Sequence, residues 1–77
     1  MKRKIREYRE RLGLSQRDLA RKVGVSGPLV SMWESGEKLP STKLLPTLAY
    51  ALDCRVGDLY EPEDLVIPNA IVLQEGE

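Results

Sequence analysis

The sequence predicts an all-α fold of five short helices in residues 1–60, followed by a short extended, β-prone tail in residues 61–77. Three observations carry this. Apolar residues through the first 60 positions recur at spacings of three and four, the period of a helix with one inward face. Glycine and small hydroxyl residues stand between these stripes, where helices stop and start. After Glu61 the pattern gives way to prolines and short branched runs.

The first helix is expected over residues 2–12, with Ile5, Tyr8 or Arg9, and Leu12 on one face. Gly13 stops it, because glycine enters the left-handed conformation at little cost. Ser15 opens the second helix, and Asp18 three residues on completes a start resembling a capping box. Leu19, Ala20 and Val23 form its inward stripe and Gly24 ends it. Ser26 is a natural N-cap for the third helix, and Pro28 fits its first turn, where a missing N–H costs nothing. Leu29, Val30 and Trp33 supply its apolar positions, Gly36 ends it, and residues 37–40 form a loop. The fourth helix runs from about residue 43 or 44 to 52. An interior proline would cost about 3 kcal/mol. The helix proper therefore begins near Leu45, with Pro46 in its first turn and Leu45, Leu48, Ala49 and Leu52 facing inward. A last short helix over residues 56–60 closes the core with Val56, Leu59 and Tyr60.

The chain has 77 residues, enough for one domain. A domain of about 60 residues buries only about 60% of the surface its unfolded chain exposes, so stability is marginal. Aromatic residues are 5% of the chain, with one Trp, three Tyr and no Phe. The core must come from Leu, Val, Ile and Ala, and Trp33, Tyr8, Tyr50 and Tyr60 are expected in the core or at its rim. There is no histidine, and Cys54 is the single cysteine. One chain can form neither a disulfide nor a Cys/His zinc cluster, so no metal or cofactor is expected. A reducing, cytoplasmic setting fits. No apolar run is long enough for a signal sequence or a membrane span. An enzyme is not expected, since the usual acid–base and nucleophile pairs are missing.

The formal net charge is +0, but the layout is uneven. Residues 1–22 hold nine Lys/Arg against three Asp/Glu, while residues 61–77 hold five acids and no base. A basic head and an acidic tail point to one side that faces a polyanion and another that does not.

The informative stretch is Gln16 to Ser35, reading QRDLARKVGVSGPLVSMWES. Two short helices are joined by Gly24-Val25-Ser26. Helices crossing at about 90–120° need a small residue where they touch and a glycine at the corner. Ala20 supplies the first, Gly24 the second, and Val25 and Val30 plug the space between them.

With these pieces in place, residues 5–60 resemble the Cro and repressor-type (XRE-like) helix-turn-helix family. The resemblance rests on Arg9, Gly13-Leu14-Ser15-Gln16, Leu19-Ala20, Val23-Gly24-Val25-Ser26, Val30-Ser31, Trp33-Glu34-Ser35-Gly36, Pro40 and the run from Leu45 to Leu52. It implies a five-helix domain that binds double-stranded DNA as a homodimer, with helix three, residues 27–35, in the major groove. It implies that Gln16 hydrogen-bonds a backbone phosphate beside the second helix's N-terminus. Arg17 lies on the same edge. It further implies an ion pair between Arg9 and Glu34 that sets the angle of helix three, and a following loop, bordered by Ser35, Lys38, Ser41 and Lys43, that lies along phosphates. Phage relatives often carry long polar side chains at the first exposed positions of helix three. Here those positions are Gly27 and Pro28, which cannot make bidentate base contacts. Base readout is left to Ser26, Ser31 and Met32, with Leu29 and Ser35 beside them. Direct readout is therefore expected to be modest, with a larger share from phosphate contacts and DNA shape.

Two readings of Lys2-Arg3-Lys4 stay open, a phosphate-reaching arm and an unordered solvated terminus. The tail, residues 61–77, lies outside the resemblance. Residues 66–73, with Val66 and Leu73 at the ends, are β-prone and a hazard if left exposed. They either pair with a second copy to make the homodimer, dock a protein partner, or pack on their own helices. The leading function is a sequence-specific transcriptional regulator, a repressor. The alternatives are an antitoxin whose tail occupies a toxin, a controller of a restriction–modification operon, and a protein-interaction module that has lost DNA binding.

Overall fold

Capping serines place the second and third helices. In the computed structural model, which describes residues 1–64, four α-helices follow one another: α1 (Lys2–Arg11), α2 (Gln16–Val23), α3 (Gly27–Ser35) and α4 (Leu45–Ala51). Short 3₁₀ turns occupy Thr42–Leu44, Val56–Leu59 and Pro62–Asp64. All regular structure among the described residues is helical. Ser15 caps α2 reciprocally: its Oγ accepts the Asp18 N–H at 2.9 Å, and Asp18 Oδ2 accepts the Ser15 N–H at 3.0 Å. Ser26 caps α3, its Oγ accepting the Leu29 N–H at 3.3 Å. Gly24 ends α2 at φ 87°. That left-handed turn lets α3 leave at once in a new direction.

Pro46 sits in the first turn of α4, as the sequence requires. The fifth helical element is a 3₁₀ turn. Arg55 and Tyr60 on either side of Val56–Leu59 are extended. Four residues between extended flanks close i→i+3 bonds more readily than a full α-helical ladder.

The core joins all four helices and the turn after α4. Trp33, Ile5, Leu19, Leu48, Leu52, Leu59 and Val30 are its largest fully buried side chains. Ala20 and Ala49 are buried with them, small residues where helices come close. Trp33 is only 1% exposed and belongs to this core. α2 packs chiefly on α3, which brings the two N-termini to one side of the molecule. Tyr8 and Tyr60 lie half-buried against the core, but Tyr50 is 89% exposed. The buried residues of α4 are Leu45, Leu48, Ala49 and Ala51, and Tyr50 falls about 100° round the helix from Ala49, on the outer side.

Residues 2–4 are part of α1 and form neither an arm nor an unordered terminus. The first turn of α1 carries no acid, so three cations face the positive end of its own dipole. Glu61, 3% exposed, supplies the missing negative charge. Its carboxylate accepts the Arg3 backbone N–H at 3.0 Å, pairs with the Arg3 guanidinium at 2.6 Å and with the Met1 amino group at 2.7 Å. Asp64 pairs with the same amino group and accepts the Glu61 N–H at 2.9 Å. Residues 66–73, the expected pairing or docking segment, lie outside the described residues.

Candidate nucleic-acid interface

The N-terminal ends of α2 and α3 meet in a shallow cleft of about 330 Å³ lined by Gln16, Arg17, Gly27, Pro28 and Ser31. Five of the residues singled out from sequence thus share one surface. Helix N-termini bring unsatisfied N–H groups and the positive ends of two dipoles to it. Arg17 adds an exposed guanidinium that makes no hydrogen bond or ion pair among the described residues.

A polar network fixes α3 beneath this cleft. Arg9 Nε donates to Glu34 Oε2 at 2.6 Å and its Nη2 donates to Oε1 at 3.0 Å. Its Nη1 donates to the Leu14 carbonyl at 2.8 Å. One side chain therefore ties α1 to α3 and to the loop before α2. The pair is nearly closed to water, with side-chain exposures of 11% for Arg9 and 5% for Glu34. The Glu34 hydrogen bond raises the Arg9 pKa, and Glu34 also favours the charged guanidinium by proximity.

Gln16 joins the same network, its Nε2 donating to Glu34 Oε1 at 3.0 Å. Sequence reasoning did not find this bond. Gln16 and Glu34 are eighteen positions apart on different helices, and no local pattern couples them. An amide nitrogen carries two hydrogens, so the second donor is left for the cleft. Glu34 fixes the direction in which Gln16 presents it.

The remaining candidates line the exposed side of α3 and its exit. Ser26 and Ser31 are exposed and Met32 is half-buried. Ser35 Oγ donates to the Met32 carbonyl at 3.1 Å and accepts the Glu37 N–H at 3.3 Å, so it also closes the end of α3. Lys38 is exposed on the loop that follows, and Lys43 is exposed in the Thr42–Leu44 turn. Neither borders the cleft. Lys2, which sequence left in an undecided segment, lies against this loop. A β-carbon at Gly36 would stand 2.9 Å from Lys2 Cδ and 3.3 Å from its Nζ. A cation thus sits at the negative end of α3.

Among the described residues no cluster of His, Cys, Asp and Glu could hold a metal ion. No helix among them is long and apolar enough to cross a membrane.

Comparison with known proteins accords with this geometry. Residues 5–59 match the helix-turn-helix family model HTH_3. An uncharacterized HTH-type transcriptional regulator of Archaeoglobus fulgidus is 36% identical over 64 residues, covering 83% of this chain and 91% of that protein. One of Methanocaldococcus jannaschii is 38% identical over 64 residues, covering 83% and 97%. The crystal structure of the P22 c2 repressor in complex with a synthetic operator superposes with a TM-score of 0.74 at 35% identity, covering 78% of this chain and 91% of the repressor chain. The chain belongs to the XRE-type helix-turn-helix family of DNA-binding transcriptional regulators.

Proposed function

We propose that the chain is a repressor that binds operator DNA as a homodimer, with α3 in the major groove and the N-terminus of α2 against the phosphate backbone. The observation that carries this is the cleft where the two helix N-termini meet, with Gln16 aimed by Glu34 and Arg17 exposed beside it. The likeness to an operator-bound repressor supports the same orientation. In this reading Gln16, Arg17, Lys38 and Lys43 meet phosphates. Gly27 and Pro28 face the groove without donors or acceptors of their own side chains, and Ser26, Ser31, Met32 and Ser35 border the bases. Serine hydroxyls discriminate weakly, and a thioether meets only apolar groups such as a thymine methyl. Groove shape then carries much of the sequence preference. Residues 1–60 act as the DNA-binding domain, and the tail beyond supplies the contact between copies.

A salt titration on a duplex recovered by selection from genomic fragments tests the reading. The logarithm of the association constant should fall linearly with that of salt, as phosphate contacts release counterions. Arg17→Ala and Lys38→Ala should each weaken binding to all sequences alike and lower the slope by about 1. Footprints should show half-sites about one helical turn apart, about 34–36 Å. Binding indifferent to salt, or slopes unchanged in both variants, would contradict the proposal.

A further inference from the structure

One oxygen of Glu34 serves two other helices. Its Oε1 accepts Arg9 Nη2 from α1 at 3.0 Å and Gln16 Nε2 from α2 at 3.0 Å, while Oε2 accepts Arg9 Nε at 2.6 Å. Two bonds from one planar guanidinium fix the plane of the carboxylate as well as its position. The guanidinium is itself held by the Leu14 carbonyl at 2.8 Å. An ionised carboxylate can only accept, so Glu34 decides which end of the Gln16 amide turns inward. The nitrogen faces Glu34, and the second N–H and the carbonyl oxygen are left for the cleft. The other side chains lining the cleft are not held in this way. Gly27 has none, and Pro28 brings no N–H. Among the described residues Arg17 and Ser31 make no side-chain hydrogen bond. Ordering a side chain before binding removes the loss of rotamer freedom that the contact would otherwise impose.

We propose that Glu34 is a positioning residue for DNA binding: through the chain Arg9–Glu34–Gln16 the packed interior presents the Gln16 amide to a backbone phosphate already oriented. The inference rests on the DNA-binding reading and deepens it. The family resemblance gives the Arg9–Glu34 pair the task of setting the angle of α3. The role proposed for Glu34 acts on a side chain of α2 and is separable from that task.

Two measurements test it, and the first needs no DNA. In the free, unmodified protein the Gln16 side-chain amide should have an NMR order parameter above about 0.6, the upper bound for flexible groups. In Glu34→Asp, which keeps a carboxylate beside Arg9 but shortens its reach toward Gln16, the value should fall below that bound. The second measurement is a double-mutant cycle in affinity for the selected duplex. Gln16→Ala should weaken binding by about tenfold or more, the loss of a hydrogen bond to a charged group. In the Glu34→Asp background the same change should cost no more than about threefold. If Glu34→Asp does not unfold cooperatively, the pair Arg9→Met with Glu34→Leu takes its place with the same expectations. Salt slopes in every variant should parallel that of the unmodified protein, because a neutral amide releases no counterion. A Gln16 amide that is flexible in the free, unmodified protein would overturn the proposal. A cost above about threefold in the Glu34→Asp background would overturn it too, since the two residues would then act independently. So would a lowered salt slope in that variant, because a tilted α3 would have carried Arg17 or Lys38 off its phosphate. If Gln16 is ordered but the unmodified protein selects no duplex, the DNA-binding reading fails first and the positioning role falls with it.

Discussion

Arg9 is a charged residue placed where an apolar one would be expected. It occupies the inward face of α1 one turn after Ile5, and it is buried. Burying a guanidinium costs several kcal/mol unless its hydrogen bonds are met. Here the Glu34 carboxylate and the Leu14 carbonyl meet them. The network ties α1 to α3 and to the loop before α2. Removing one partner should therefore be worse than removing both. Glu34→Ala should lower unfolding stability by about 3 kcal/mol, since it leaves a buried cation and loosens Gln16. The pair Arg9→Met with Glu34→Leu should lose less than Glu34→Ala alone. Urea unfolding of Arg9→Met, Glu34→Leu and the double that combines them gives the coupling, expected at about 1–3 kcal/mol. A coupling of zero would mean that the Arg9–Glu34 pair has no energetic content.

At the scale of elements, what could be read from the sequence was what is decided locally. The start of α2 is a contest among Ser15, Asp18 and a few backbone N–H groups, all within four residues. The ends of α2 and α3 are single glycines. These signals survive in any tertiary setting, so the helix-turn-helix unit was legible almost to the residue. Tyr50 was not. Its fate depends on whether another surface covers the outer face of α4, and tyrosine, intermediate in its burial preference, does not declare its side from sequence. The 3₁₀ character of Val56–Leu59 was equally hidden, because apolar spacing over four residues does not separate helix types. The local logic makes a clear prediction for α2. Ser15→Ala should destabilise the domain by about 1 kcal/mol, the usual worth of an N-cap. It should leave Asp18 with the backbone N–H of residue 15 but no reciprocal hydroxyl. A melting curve superposable on that of the unmodified protein would show that α2 is held by packing alone.

Over the whole molecule the charge asymmetry acquires a structural meaning that sequence could only suggest. The basic head was legible as a polyanion-facing side. The acids after residue 60 read as a separate tail, yet Glu61 and Asp64 fold back onto the N-terminal end of α1. Partners 58 and 63 positions apart leave no local trace, so no pattern could have announced them. Both carboxyls are held below their ordinary range, first by the hydrogen bond from the Met1 amino group. The Arg3 backbone N–H adds to this at Glu61, and the Glu61 N–H at Asp64. A carboxyl whose folded pKa is depressed contributes stability that is complete above its unfolded pKa, about 4. That contribution is lost as the pH falls through the depressed folded values. Stability measured by urea unfolding should therefore be flat from neutral pH down to about 5 and then fall. In Glu61→Gln part of the contribution is already gone at neutral pH. The variant should start less stable and decline less steeply on acidification, so the two curves converge at low pH. Parallel curves would place the acid sensitivity in other carboxylates, with Asp18 the next to examine, since the Ser15 N–H and hydroxyl hold it low in the same way.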